Sequence, residues 1–266
     1  MSAVDDTFRR LRSEGRKAFI PFVTTGDPDL DFTGAVLKEL VARGASLCEI
    51  GIPYSDPIAD GPVIQASYTR ALAKGVKLRG ILDMAAKTVP TLGAPAVTMV
   101  SYAIIHRHGP QKFVDDARRA GIAGAIVPDL LVEESAAFAD ICKKSDFSLI
   151  QLVTPTTPRE RAKRIAERTT GFIYVVSITG ITGERTEIPA ELVDNVAWLR
   201  TQTDLPVCIG FGISSPEHVK LLAPAADGLI VGSGLVRRIA AAETEPREQV
   251  LRNVGEYAAQ LAAAFG

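Results

Sequence analysis

Eight times along the chain a short, almost uninterrupted apolar run gives way to a loop and then to a segment whose apolar residues recur at helical spacing. The runs fall at 18–24, 47–52, 96–102, 124–129, 148–153, 172–177, 206–211 and 228–231. Strands that alternate apolar and polar residues have one wet face, whereas continuous runs of this kind are covered on both. Between them, Phe32, Val36, Leu37, Leu40 and Val41 mark one helix that Gly44 stops. Others follow Pro62, occupy 78–89 and 133–144, and centre on Phe113, Ala117 and Ala120 or on Leu192, Val196 and Leu199. Thr157-Pro158-Arg159-Glu160 reads as a helix start with Thr as N-cap and Glu closing a capping box. Ser214-Ser215-Pro216-Glu217 is a second start, and an alanine-rich helix begins near Arg247.

Eight strand–helix units in 266 residues predict a (β/α)₈ TIM barrel, preceded by a short extra N-terminal helix at 5–14. An open doubly wound sheet would carry a glycine fingerprint after its first strand. Val23-Thr24-Thr25-Gly26-Asp27-Pro28 is not one. No linker or change in composition divides the chain, so 1–266 is expected to be a single domain.

Charge and cysteine usage narrow the function. Thirty basic and 31 acidic residues leave a net charge of −1, which offers no surface for nucleic acid or anionic membrane. No apolar run is long enough to span a bilayer, and the first dozen residues lack the apolar core of a signal peptide. Cys48, Cys142 and Cys208 are widely separated among apolar neighbours, as buried free thiols of a cytoplasmic protein would be.

A barrel of this kind does its chemistry at the C-terminal ends of its strands. The second strand holds a carboxylate, Glu49, among apolar residues, and the loop beyond it delivers another, Asp60. A buried carboxylate is destabilising unless something requires it, and two carboxylates in unlike surroundings suit acid–base work. Singly, Glu49 also fits a paired structural acid, and Asp60 a capping residue before Gly61-Pro62. Tyr102 and Asp129 end the third and fourth strands. Gly210-Phe211-Gly212-Ile213-Ser214 and Gly232-Ser233-Gly234 end the last two, where backbone N–H groups could face a phosphate or simply form tight turns. Asp56 beside Pro57 reads as a turn former, His106 and His108 as part of a solvated loop, and His218 as a helix-surface residue. No metal site is expected.

The run Glu49-Ile50-Gly51-Ile52-Pro53-Tyr54-Ser55-Asp56-Pro57-Ile58-Ala59-Asp60-Gly61-Pro62 resembles the signature of the tryptophan synthase alpha chain family. The resemblance extends to 21–28, to Val127-Pro128-Asp129-Leu130, to Gly180-Ile181-Thr182-Gly183 and to both glycine loops. It implies retro-aldol cleavage of indole-3-glycerol phosphate to indole and glyceraldehyde 3-phosphate. Glu49 would then move the protons and Asp60 would accept the indole N–H. Phe22, Val100, Tyr102, Ile126, Val127 and Tyr174 would wall the indole. The backbones of Gly183, Gly212, Ile213, Gly232 and Ser233 would hold the phosphate, with Phe211 in the same loop.

No cofactor is implied for this chain. Pyridoxal phosphate belongs to the partner beta chain, with which an alpha2-beta2 heterotetramer is expected. Two departures, Ile104 and Leu131, fall in loops near the family's beta-chain contact and bear on partner coupling rather than on cleavage. The rivals are a free-standing lyase that releases indole and a noncatalytic phosphate-ligand-binding barrel.

Overall fold

A computed structural model describes residues 2–57, 60–177, 190–210 and 212–265. Its strand segments are β1 (Ala18–Thr24), β2 (Cys48–Gly51), β3 (Ala96–Met99), β4 (Ile122–Ile126), β5 (Ser148–Ile150), β6 (Leu152–Val153), β7 (Ile173–Val176), β8 (Val207–Gly210) and β9 (Gly228–Val231). They lie in the order β5-β4-β3-β2-β1-β9-β8-β7-β6, and each paired neighbour is parallel. The fifth predicted strand is broken at Gln151 into β5, which pairs β4, and β6, which pairs β7. Because those halves are contiguous in the chain, the sheet curls back on itself there. The Tyr174 N–H donates to the Gln151 carbonyl at 3.1 Å across the seam. Eight staves and their helices make the TIM barrel that the apolar runs predict.

Strand alternation sorts the side chains into two cores. Ala18, Ile20, Phe22, Val97, Met99, Ile126, Ile150, Tyr174, Cys208 and Ile230 fill the interior. Phe19, Val23, Cys48, Ile50, Ala125, Ile173, Val175, Ile209 and Leu229 pack outward under the helices. The helix Ala3–Ser13 plugs the floor with Val4, Phe8 and Leu11, and Phe8 meets Phe172 at 5.5 Å between ring centroids. Ser2 and Asp5 form a reciprocal capping box, and the Ser2 and Ser148 hydroxyls lie 2.7 Å apart.

Local corrections follow from competing polar groups. Ser101 caps a helix, Tyr102–His108, so β3 ends at Met99 and Tyr102 is helical. His106 and His108 therefore sit on a helix rather than a solvated loop, with His108 Nε2 2.7 Å from Asp116 Oδ2. Thr157 does not cap the helix Arg159–Arg168; its hydroxyl accepts the Thr154 N–H at 3.0 Å instead, and the expected box with Glu160 is absent. All three cysteines are buried and free. Among the described residues no helix is long and apolar enough to cross a membrane.

Candidate active site

Alternation fixes where Glu49 points. Cys48 and Ile50 pack in the outer core, so the residue between them is turned to the interior. The strands align Glu49 with Phe22 on one side and Val97 on the other, both interior residues. Its side chain is fully buried, and neither carboxylate oxygen has a hydrogen-bond partner among the described residues. Burial, and secondarily the charge of Asp60, raises its pKa to about 8. At neutral pH this group holds its proton.

Asp60 arrives by a different route. Beyond Ile52 the chain leaves the sheet, and Gln65 of the helix Pro62–Ala73 pins the returning loop. Its side-chain amide donates to the carbonyls of Asp60 at 2.7 Å and Pro57 at 3.2 Å. Asp60 is half-buried, and burial raises its pKa to about 6, so it is ionised at neutral pH. The two acids therefore differ in charge state while close enough to feel each other.

Above them opens a cavity of about 240 Å³, bordered by Ile52, Tyr54, Asp56, Pro57, Asp60, Tyr68, Met99, Val100, Ser101, Pro128 and Asp129. Asp129 ties two of its edges together by accepting the Ser101 hydroxyl at 2.6 Å and the Tyr102 N–H at 2.7 Å. Asp56 stands exposed at the rim and accepts the Ser55 hydroxyl at 2.7 Å.

The expected indole walls divide. Phe22, Ile126 and Tyr174 belong to the interior core. The alternation that turns Ile126 inward turns Val127 outward, so Val127 packs beneath the helices. Val100 borders the cavity while belonging to that outer core, and Tyr102 leans outward onto Phe138. Phe22 needs its neighbour to be glycine: a Cβ at Gly51 would fall 2.5 Å from its ring.

On the other side of the mouth, Gly212 is exposed with φ +75°, and Ile213 is buried in the outer core. Gly232 and Ser233 open the helix Ser233–Ile239. Tyr257, of the helix Arg247–Ala263, joins the two loops: its hydroxyl donates to the Ser214 carbonyl at 2.8 Å and lies where a Cβ at Gly234 would be. Gly183 and Phe211 lie outside the described residues.

Sequence reading missed Gln65, Tyr68, Met99, Ser101 and Tyr257. Tyr68 had a signal, since it follows Ile64 by four residues and so shares its helix face. Tyr257 had none, because nothing local links the last helix to a loop 43 residues earlier.

The fold and this mouth define a class: a TIM-barrel enzyme with an enclosed carboxyl group on an inner strand and a second carboxyl group bordering the pocket at the strand ends. Comparison with known proteins narrows it. The sequence matches the family described as the tryptophan synthase alpha chain over residues 8–265. A tryptophan synthase alpha chain from Rhodopirellula baltica is 59% identical over 243 residues, 90% of this chain and 87% of that relative. One from Caldanaerobacter subterraneus is 42% identical and covers 98% of each chain. The crystal structure of tryptophan synthase subunit alpha from Legionella pneumophila superposes with a TM-score of 0.90 at 32% identity, covering 100% of this chain and 98% of that one. The chain belongs to the tryptophan synthase alpha chain family. It is a lyase of tryptophan biosynthesis that cleaves indole-3-glycerol phosphate to indole and glyceraldehyde 3-phosphate, and its family implies a beta-chain partner.

Proposed function

We propose that Glu49 and Asp60 carry out the cleavage, and the observation behind this reading is a fully buried, unpartnered carboxyl group on β2 within electrostatic reach of the carboxyl group that borders the pocket. Glu49, protonated, donates to C3 of the indole ring, and the ring becomes a cationic indolenine with the charge on its N–H. Ionised Asp60 accepts a hydrogen bond from that N–H and stabilises the positive charge as it develops. The Glu49 carboxylate then takes the proton of the hydroxyl on the adjoining glycerol carbon. As the carbon–carbon bond breaks, its electron pair returns to the ring, the hydroxyl carbon becomes the aldehyde, and Glu49 is reprotonated. No proton is gained or lost over the cycle.

Phe22, Ile126 and Tyr174 supply apolar surface for the ring in this scheme. The N–H groups near Gly212 and at Gly232-Ser233 take the phosphate, a role helped by the unpaired first-turn amides of a helix. The chemistry requires no cofactor or metal in this chain; pyridoxal phosphate would reside in the beta chain.

We also propose one barrel domain acting in the cytoplasm within an alpha2-beta2 complex. The test is indole release from indole-3-glycerol phosphate by the purified chain, with and without a beta chain. Cleavage stimulated by the beta chain is expected. A rate indifferent to it would favour a free-standing lyase, and no cleavage under either condition would contradict the assignment.

A further inference from the structure

A third polar side chain lies within electrostatic reach of both acids. Tyr68 lies on the helix Pro62–Ala73, is 3% exposed, and packs with Ile64 in the interior core. Its ring borders the cavity beside Asp60 and Met99. Its hydroxyl stands 3.2 Å from where a Cβ at Gly51 would be. Gly51 is two residues from Glu49 on the same strand, so that missing Cβ lies on the face Glu49 uses, roughly 7 Å nearer the mouth. The phenol oxygen therefore lies against β2 one inward-facing position nearer the mouth than Glu49.

The helix is anchored on both sides of this residue. On one side of Tyr68, the Ser67 hydroxyl lies 2.6 Å from that of Thr24, at the end of β1. On the other, Arg70 makes a two-pronged ion pair with buried Asp27, at 3.0 and 2.6 Å. Both anchors reach the first strand and the loop after it, so the segment carrying Tyr68 is fixed to the barrel wall. Burial and then the charges of Asp60 and Glu49 raise the phenol's pKa well above its usual value. It stays a neutral O–H donor throughout the working pH range.

We infer that Tyr68 is a positioning residue for the cleavage: with substrate bound, its hydroxyl donates to the Asp60 carboxylate and leaves the other oxygen of that carboxylate to the indole N–H. This rests on the role given to Asp60 above. A hydrogen bond to a charged group stabilises the anion more than one between neutral groups does. It thus keeps Asp60 ionised in a pocket whose burial works against it, and fixes the carboxylate's rotation.

The test is Tyr68→Phe, which keeps the ring and its packing, measured alongside Asp60→Asn and the double variant. Tyr68→Phe is expected to retain its denaturation midpoint, lower kcat about tenfold and leave KM within about twofold. The acidic limb of its kcat profile, which reports the substrate complex, should move to higher pH, because the Asp60 anion has lost a donor. In the Asp60→Asn background the same change should add little, since Tyr68 acts through Asp60. An unmoved acidic limb with unchanged kcat overturns the inference, as does a full tenfold further loss in the Asp60→Asn background. If Asp60→Asn itself cleaves normally, the underlying reading of Asp60 fails and this inference with it. If Asp60→Asn falls and Tyr68→Phe does not, only the inference fails.

Discussion

The floor and the mouth of this barrel treat polar groups in opposite ways. At the floor, the Ser2–Asp5 box satisfies both ends of its own turn, the Ser2 and Ser148 hydroxyls pair, and Phe8 seals the interior against Phe172. At the mouth, Glu49 is enclosed with both oxygens unpartnered among the described residues, and its burial holds it in the protonated form. Satisfied groups stabilise a fold, while an unsatisfied acid in a dry pocket destabilises it and keeps a proton available for chemistry. The two ends of one set of strands are thus built for different purposes, which is the division of labour expected of a TIM barrel.

Substitutions at the two ends should therefore separate activity from stability. The largest effect is expected from Glu49→Gln, which should lower kcat by roughly two to four decades. The same variant should be more stable than the parent at alkaline pH. Glu49 has a folded pKa of about 8 against an ordinary 4.5, so between those values the folded chain holds more protons than the unfolded one. Stability consequently falls as pH rises through that window, by up to about 1.4 kcal/mol per pH unit from this group. Glu49→Gln removes its share of the slope, which urea denaturation at several pH values will read. A variant that loses activity and stability together would erase the contrast.

Next in size, Phe8→Ala should destabilise the fold by about 3–5 kcal/mol through the cavity it leaves under the barrel, with kcat per folded molecule unchanged. Denaturation and active-site-normalised kinetics would check both halves. A decline in kcat at constant fold would mean that the floor reaches the site. The smallest effect belongs to the cap: Ser2→Ala should cost about 1 kcal/mol and leave the pH profile of cleavage where it was.

Much of this contrast is legible in the sequence. Continuous apolar runs gave the staves because strands buried on both faces need no polar side, and Glu49 stood out because it interrupts one. Its inward direction follows from alternation, as does the outward placement of Val127: a run such as Ile126-Val127 looks uniformly apolar, yet neighbouring residues must face opposite cores. Caps were harder to read. Thr157 has the right residue type and spacing, but a nearer backbone donor, the Thr154 N–H, takes its hydroxyl. Ser101 caps a helix inside what reads as strand because Tyr102 and Ile105 suit either structure. Contacts such as Gln65 to the Asp60 loop and Tyr257 to Ser214 depend on the closed fold, and local pattern carries no trace of them.

The most direct test of a neutral Glu49 beside an ionised Asp60 is a ¹³C-carboxyl NMR titration of the folded, ligand-free chain. Glu49→Gln and Asp60→Asn would assign the two resonances. With these assignments, Glu49 is predicted to remain protonated at pH 7 and to titrate near 8, while Asp60 titrates near 6. A Glu49 resonance already ionised by pH 5 would contradict the account, because the mouth would then hold two carboxylates and no acid to protonate the ring.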